Sequence, residues 1–331
     1  MKAILLTDGK AGHENQSKAF AHALGLDFEL VPVKFKSPLH KALSYLLDFI
    51  GIKTLRLFPT LPLPHSLLIT HHSSPPNHPT TEPSNHPTTE PPNHLTIIGT
   101  GSGTFYAAKS LARKIGAKCG VVLYPRGYRL SSFDCILAPS FDDPAMRPNV
   151  VEVPANLVAT DADFYEKGVA AFRERYNGAT DNLVGVIVGG PNKCSTMTPE
   201  WMKARLDEIF AANKGAELCV TTSRRTPPAV EAVVDSYPWA YKLIYSKDHF
   251  NPIPAFVQLA KKLYVTAEST GMLSEACTFG SAEVVALDNL KPGPHKFRRF
   301  VENLRREGYV DGNRKIDLSA EFAKARELMG L

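Results

Sequence analysis

The stretch Tyr264-Val-Thr-Ala-Glu-Ser-Thr-Gly-Met-Leu-Ser-Glu-Ala276 decides how this chain folds. The apolar run Leu259–Val265 precedes it, and Gly280 and a second apolar run, Ala282–Leu287, follow. That order reads as strand, tight polar turn, short helix, strand: the βαβ unit of a parallel sheet. The turn at Glu268–Gly271 sets small hydroxyl residues and a glycine at a helix N-terminus. Free backbone N–H groups and the positive end of the helix dipole meet there, so a phosphate is the natural guest. Glu268, Ser269, Thr270, Gly271 and Met272 form the expected cradle. Ser274 and Glu275 follow about one turn into the helix, where a carboxylate reaches sugar hydroxyls. A plain βαβ crossover with a well-capped helix explains the same residues, so the rest of the chain must discriminate.

A length of 331 residues suggests two domains, and 44% hydrophobic content is enough for two cores. The net charge of +5 permits anionic partners such as nucleotides or membrane headgroups. It is too weak to argue for nucleic acid, and no aromatic-basic RNA motif, zinc-finger spacing or helix-turn-helix signature is present. The five cysteines, Cys119, Cys135, Cys194, Cys219 and Cys277, include no CxxC pair and are expected as free thiols, mostly buried, in a reducing compartment. Met1–Asp8 is too short in its apolar run for a signal peptide and reads as a first strand. No run reaches the ~18–20 apolar residues needed to span a membrane. These readings place the chain in the cytoplasm.

One segment breaks the pattern. Asn77–Pro83 and Asn85–Pro91 are the same heptapeptide, Asn-His-Pro-Thr-Thr-Glu-Pro, within the proline-dense, nearly apolar-free stretch 75–93. Such a stretch cannot bury enough surface to offset its ordering entropy. It reads as a disordered or polyproline-like insert between two strands, Ser66–His71 and Leu95–Thr104. His78, His86 and His94 recur at the repeat's spacing of eight, as a tandem duplication or as metal ligands; the former is the expectation, and no metal site is expected elsewhere.

Around the insert, apolar runs alternate with helical patterns. Strands are expected at 119–124, 135–139, 150–153, 183–188, 217–222 and 241–245. Helices are expected at 107–115, 198–213, 228–236 and 255–261, with two more at 297–307 and 319–329. The expected fold is α/β, two Rossmann-like doubly wound parallel sheets: residues 1–155, a linker at 156–180, residues 181–295, and final helices at 296–331 packing back across the junction.

Four turns fall at the carboxyl ends of predicted strands, the edge where open α/β sheets bind ligands. Thr7–Gln16 carries Asp8, Gly9, Lys10, Gly12, His13 and Glu14. It is neither a GxGxxG motif nor a P-loop, which argues against NAD and ATP chemistry. His13 supplies an imidazole, the side-chain type suited to proton abstraction near neutral pH. Gly101 and Ser102 lie in the Gly/Ser turn after Leu95–Thr100. Gly189, Gly190, Asn192 and Lys193 offer N–H donors and a cation. Ser223, Arg224 and Arg225 set two guanidinium forks at one strand end, matched to phosphate oxygens or else solvated or salt-bridged. Three anion-friendly turns in the C-terminal half suggest a pyrophosphate site there, with Glu275 on a ribose.

Asp8–Gln16, Gly189–Lys193, Thr221–Pro227 and Thr266–Ala276 together resemble the signatures of the mitochondrial fission factor family (plant Elm type), which has many bacterial members. The resemblance covers nearly the whole chain except the repeat. It implies a GT-B-like architecture, two domains facing a cleft, as in nucleotide-sugar-dependent glycosyltransferases. The functional analogy is to transferases that add N-acetylglucosamine to lipid-linked acceptors. Those carry a similar donor-half helix whose glutamate holds the ribose, and an amino-half glycine loop with a histidine. Carried onto this chain, that singles out Glu275 and His13. The family's plant members are linked to organelle division, so membership leaves the chemistry open.

Leu39–Pro64 is rich in Leu, Ile and Phe and punctuated by Lys41, Lys53 and Arg56. It reads either as a membrane-surface segment beside a lipid acceptor or as a core helix with a proline-rich connection. Lys296–Phe300 with Arg305 and Arg306 adds headgroup attraction or is a solvated helix face. The resulting expectation is a metal-independent glycosyltransferase-like protein with a nucleotide-diphosphate sugar as substrate and no further cofactor. His13 or Asp8 takes the acceptor proton. Its acceptor is lipid-linked or a cell-envelope glycan, at the inner face of the membrane. A nucleotide-sugar epimerase or hydrolase of the same fold, and a non-enzymatic membrane-associated scaffold, are the alternatives.

Overall fold

The computed structural model describes residues 1–59, 95–159 and 162–331. Among them the chain forms two compact α/β units, one of residues 1–137, 146–151 and 322–331, the other of 138–145 and 152–321. The predicted strand Ser66–His71 and the Pro/His repeat lie outside the described residues.

The first unit is built on β1 (Lys2–Thr7), α1 (Ala11–Ala23), β2 (Asp27–Pro32), α2 (Pro38–Phe49), β3 (Thr96–Thr100), α3 (Phe105–Ile115), β4 (Lys118–Val122), β5 (Cys135–Pro139) and β6 (Val150–Val153). Its sheet order is β2-β1-β3-β4-β5-β6, and β1 runs parallel to both β2 and β3. Ile4 and Leu5 of β1 sit beside Ile97 and Ile98 of β3, and all four are buried, as are Phe20 of α1 and Leu111 of α3. Burial on both faces explains why these strands read as unbroken apolar runs rather than alternating ones.

The second unit holds α4 (Ala162–Arg173), β7 (Leu183–Ile187), α5 (Pro199–Ala212), β8 (Glu217–Thr221), α6 (Pro228–Asp235), β9 (Tyr241–Leu243), α7 (Ile253–Leu259), β10 (Lys262–Thr266), α8 (Thr270–Thr278), β11 (Glu283–Leu287) and α9 (Lys296–Arg306). Its sheet order is β11-β10-β7-β8-β9, parallel throughout. A last helix, α10 (Ser319–Met329), ends the chain, and residues from Phe322 onward count with the first unit. Residues 156–180, expected as a linker, are instead part of the second unit: α4 forms there, and its Tyr165 and Phe172 are buried in that unit's core. The cysteines are all free, four buried and Cys194 half-exposed.

Both sheets contain a point where the strand order reverses. In the first, the chain goes from β1 outward to β2 and returns on the other side to β3. In the second, it goes from β7 to β8 and β9 and returns to β10. At such a switch point the neighbouring crossovers leave in opposite directions, opening a crevice at the strands' carboxyl ends.

Candidate functional site

In the first unit the crevice lies after β1 and β3. The Gly-rich segment expected there as a loop is shorter than the sequence suggested: α1 begins at Ala11, so Gly12, His13, Glu14 and Gln16 stand on the helix. Gly9 turns the chain with φ of 78°. His13 Nδ1 lies 3.1 Å from both carboxylate oxygens of Asp8. Lys10 Nζ donates to Asp8 Oδ2 at 3.0 Å. Burial works to raise the Asp8 carboxyl, but the Lys10 ammonium and the His13 imidazole outweigh it and hold it below the usual carboxylate range. Glu14 is paired with Lys18, away from this cluster.

The β3–α3 turn closes on the same groups. Gly101 has φ of 82°, and a Cβ there would stand 2.4 Å from His13 Cε1. A Cβ on Gly103 would stand 2.9 Å from Asp8 Cβ. Both glycines are needed so that imidazole and carboxylate can lie on the turn. Ser102 Oγ accepts from Lys41 Nζ at 2.9 Å. A pocket of ≈ 290 Å³ opens beside Asp8, lined by Thr7, Gly9, Pro32, Val33, Lys34 and Pro59. With Nδ1 turned to a carboxylate, Nε2 of His13 is the nitrogen left to meet a ligand.

In the second unit the crevice lies after β7 and β10, and here the structure corrects several expectations. Gly189 N–H donates to Thr266 Oγ1 (2.8 Å) and Gly190 N–H to Glu268 Oε1 (2.7 Å). These amides are therefore consumed within the fold and are not open phosphate donors. Glu268, 2% exposed, also accepts from Thr266 Oγ1 (3.1 Å) and, on Oε2, from Asn289 Nδ2 (2.7 Å). It is a strut joining three strand ends rather than a group facing a ligand. Burial pushes its carboxyl up, and the Asn289 amide offsets part of that rise. Ser274 is fully buried, donating to Thr270 O (2.6 Å) and accepting from Asn156 N–H (3.2 Å), so it too is occupied. Met272 packs partly buried against the core. Asn192 serves its own turn, accepting from Cys194 N–H at 2.8 Å.

What remains available lies at the start of α8 and on the turns that follow β7 and β8 at the same sheet edge. Ser269 stands at the N-cap without a side-chain capping bond, so the first-turn N–H groups at Thr270, Gly271 and Met272 have no partner from that side chain. Nothing described approaches a Cβ position on Gly271. The β8–α6 turn is pressed against Gly190, where a Cβ would lie 2.2 Å from Arg225 O. Thr226 Oγ1 donates to Gly189 O at 2.5 Å, and Ser223 Oγ accepts from Arg225 N–H. With the turn fixed this way, Arg224 and Arg225 are exposed, and neither side chain pairs with a described residue. Lys193 is exposed as well. Glu275 is half-buried, accepts from Tyr165 Oη (3.1 Å), and is raised by burial, with the Tyr165 hydroxyl pulling the other way. Among the described residues no three His, Cys, Asp or Glu side chains are grouped to hold a metal ion.

Thr266 as an acceptor, the roles of Asn289 and Tyr165, and the bond of Lys41 to Ser102 have no counterpart among the residues expected at the site. Asn289 was accessible to sequence reasoning, because it follows β11 at the same carboxyl edge as the other turns. The partners of Tyr165 and Lys41 are 110 and 61 residues away along the chain and carry no local signal.

A sequence profile described as "Mitochondrial fission ELM1" matches residues 11–324. The chain belongs to the mitochondrial fission ELM1 family. Among curated relatives, the family's "Mitochondrial fission protein ELM1" from Arabidopsis thaliana is 26% identical over 247 residues, 65% of this chain and 56% of the plant protein. "Uncharacterized protein RP120" from Rickettsia prowazekii is 28% identical over 130 residues, 37% of this chain and 36% of the relative. The chain thus spans about half of the first relative's length and about a third of the second's. A solved structure named for UDP-N-acetylglucosamine 2-epimerase from Listeria monocytogenes aligns over 100% of this chain and 88% of that one, with a TM-score of 0.51 at 12% identity. At that identity the likeness concerns the fold, which is of the GT-B type found in glycosyltransferases and epimerases. No helix among the described residues is long and apolar enough to cross a membrane.

Proposed function

We propose that this family member is a glycosyltransferase that uses a nucleotide-diphosphate sugar. The observation that carries the reading is the start of α8, an N-terminus with no side-chain cap, at the same sheet edge as two exposed arginines that pair with no described residue and a half-buried glutamate, at a switch point. The diphosphate is assigned to the Ser269–Gly271 amides, Arg224, Arg225 and Lys193, and the ribose to Glu275. The Listeria structure of the same fold is named for an enzyme of a UDP-sugar, which supports this ligand class. His13 Nε2 takes the proton of the acceptor hydroxyl, and Asp8 orients the ring through Nδ1. The acceptor oxygen then bonds to the anomeric carbon as the bond to the β-phosphate oxygen breaks. The arginines and helix amides hold the charge that develops on the leaving nucleoside diphosphate. The acceptor is a lipid-linked or cell-envelope saccharide, and the protein works in the cytoplasm, peripheral to a membrane.

The epimerase name of the Listeria structure supports a second reading, in which nucleotide sugar is converted without an acceptor. The plant relative is named for mitochondrial fission, and a third reading is a non-enzymatic scaffold, which predicts no nucleotide affinity. A thermal-shift panel of nucleoside diphosphates and their sugars separates them. The transferase reading expects a rise in melting temperature with at least one diphosphate. It also expects Glu275→Ala to weaken that rise, His13→Ala to keep it, and almost no consumption of sugar nucleotide until acceptor is added. If no nucleotide shifts the melt, the donor site is abandoned. Turnover without acceptor would favour the epimerase.

A further inference from the structure

Helix α2 presents its apolar face to solvent and its polar face to the protein. At about 100° per residue, Leu39, Leu43, Leu46 and Ile50 share an arc of roughly 60°. They are 77%, 40%, 57% and 56% exposed, and Phe49 at 72% and Ile52 at 47% extend the patch. The buried side is Ser44 and Asp48, at 0% and 1%. Ser44 Oγ shares a hydrogen bond with Tyr128 Oη at 2.8 Å, and Tyr45 stacks on the Tyr128 ring. Asp48 accepts from Arg129 N–H at 2.6 Å and is ion-paired with Lys109, itself buried. The Lys109 ammonium lies 4.7 Å from the Tyr128 ring and 5.0 Å from that of Phe133.

This is the reverse of an ordinary surface helix. Turned the other way, α2 would bury its leucines and leave its charges in water, and a buried ion pair offers no advantage over apolar packing. The fold therefore forgoes core burial to hold a contiguous apolar face outside, which marks an interaction surface. The surroundings specify the partner. Lys34, Lys36 and Arg56 are exposed and Lys53 is half-exposed, on the segments leading into and out of α2. The one carboxylate between residues 33 and 59 is Asp48, buried and paired. An exposed apolar helix face whose flanking segments carry four cations and, between residues 33 and 59, no unpaired carboxylate matches a bilayer with anionic headgroups.

We propose that α2 docks this chain on anionic membranes, lying in the interface plane. Leu39, Leu43, Leu46, Phe49 and Ile50 enter the acyl boundary, and Lys34, Lys36, Lys53 and Arg56 meet the headgroups. Lys41, on the protein-facing side of the same helix, holds Ser102 in the turn that packs against Asp8 and His13, so the docking helix is tied to that turn. The proposal is independent of whether the site performs sugar transfer.

The test is flotation of the full chain with vesicles of phosphatidylcholine alone and of phosphatidylcholine mixed with phosphatidylglycerol. The wild type is expected to float with the anionic vesicles and to bind the neutral ones at least about tenfold more weakly. Leu39→Ser combined with Leu46→Ser, at side chains the fold does not need, is expected to melt like the wild type and to lose at least about tenfold in binding. Lys36→Glu combined with Arg56→Glu is expected to remove the preference for phosphatidylglycerol. Phe49→Trp is expected to blue-shift its emission only with anionic vesicles. A wild type that ignores anionic vesicles, or a double serine variant that binds them unchanged, overturns the proposal. So does a wild-type dimer that the serine variant converts to monomer, which would assign the face to a second copy.

Discussion

Replacing Glu268 separates a structural strut from a ligand-binding group. Its carboxylate accepts from Gly190 N–H, Thr266 Oγ1 and Asn289 Nδ2, all within the interior of the second unit. Glu268→Ala strands the Gly190 amide and the Asn289 amide without acceptors, while the Thr266 hydroxyl can rotate. Each stranded buried donor costs about 1–3 kcal/mol, so the expected loss is about 2–6 kcal/mol. At about 2–4 °C per kcal/mol for a unit of this size, the melting temperature falls by roughly 5–20 °C. Glu268→Gln behaves differently, for a reason visible in the wild type: Asn289 Oδ1 is buried without a partner. Turning the Asn289 amide lets Oδ1 accept from the new Nε2, and Gln Oε1 keeps the Gly190 bond. Gln is therefore expected within about 1 kcal/mol of wild type.

The pH dependence follows from the raised carboxyl. A folded-state value above the ordinary one means that the folded protein holds this proton more tightly than the unfolded chain. Its contribution is fully present below about pH 4 and is lost as the pH rises through the folded value. Relative to Glu268→Gln, the wild type should thus weaken over that rise. Calorimetric melts of the three proteins between acid and neutral pH, with and without a nucleoside diphosphate, make the measurement. An alanine variant melting within about 2 °C of wild type would refute the strut, since even one stranded donor should cost more. A stable glutamine variant that no longer responds to nucleotide would return Glu268 to the binding site.

Gly190→Ala forces a Cβ to 2.2 Å from Arg225 O, a backbone atom that cannot swing aside. Melts are expected to show a loss of about 2 kcal/mol or more, with any nucleotide shift abolished as the arginine turn moves. Asp8→Asn keeps the volume but removes the charge that orients His13. Product assays should show turnover falling by about 10²–10⁴, with nucleotide-induced stabilisation intact. Asp48→Ala leaves the buried Lys109 ammonium unpaired and is expected to cost about 3–5 kcal/mol in urea melts, whereas Asp48→Leu with Lys109→Met should recover most of that loss.

The strands buried on both faces were legible because their apolar runs are local. The predictions at 135–139, 150–153, 183–188 and 217–222 overlap β5 to β8 with errors of at most one residue at an end. Strand β4 stops at Val122 because Leu123 takes a φ of 74°, a backbone conformation its sequence does not announce. Edge strand β2 was missed because it buries mainly Val31 and so lacks an apolar run. Helix α1 was hidden by Gly12, His13, Asn15, Gln16 and Ser17, polar or flexible residues early in its length, two of which the fold buries. Helix α2 was ambiguous because amphipathicity reveals two faces without saying which one the protein keeps.

By itself the sequence determined the α/β class, the family, and the clustering of glycines, hydroxyls and cations at strand ends. All of these depend on neighbours within a few residues. Only the tertiary structure decided which of those groups remain available. Gly190 meets Glu268 across 78 residues of chain, and Asp48 meets Lys109 across 61, once parallel strands and their crossovers are assembled. A hydrogen bond made that way uses up a donor that looks open in the sequence, as at Gly189 and Gly190, and an ion pair made that way turns a helix outward, as at α2. Burial and partnering are properties of the packed chain, and they separate the strut at Glu268 from the exposed Arg224 and Arg225.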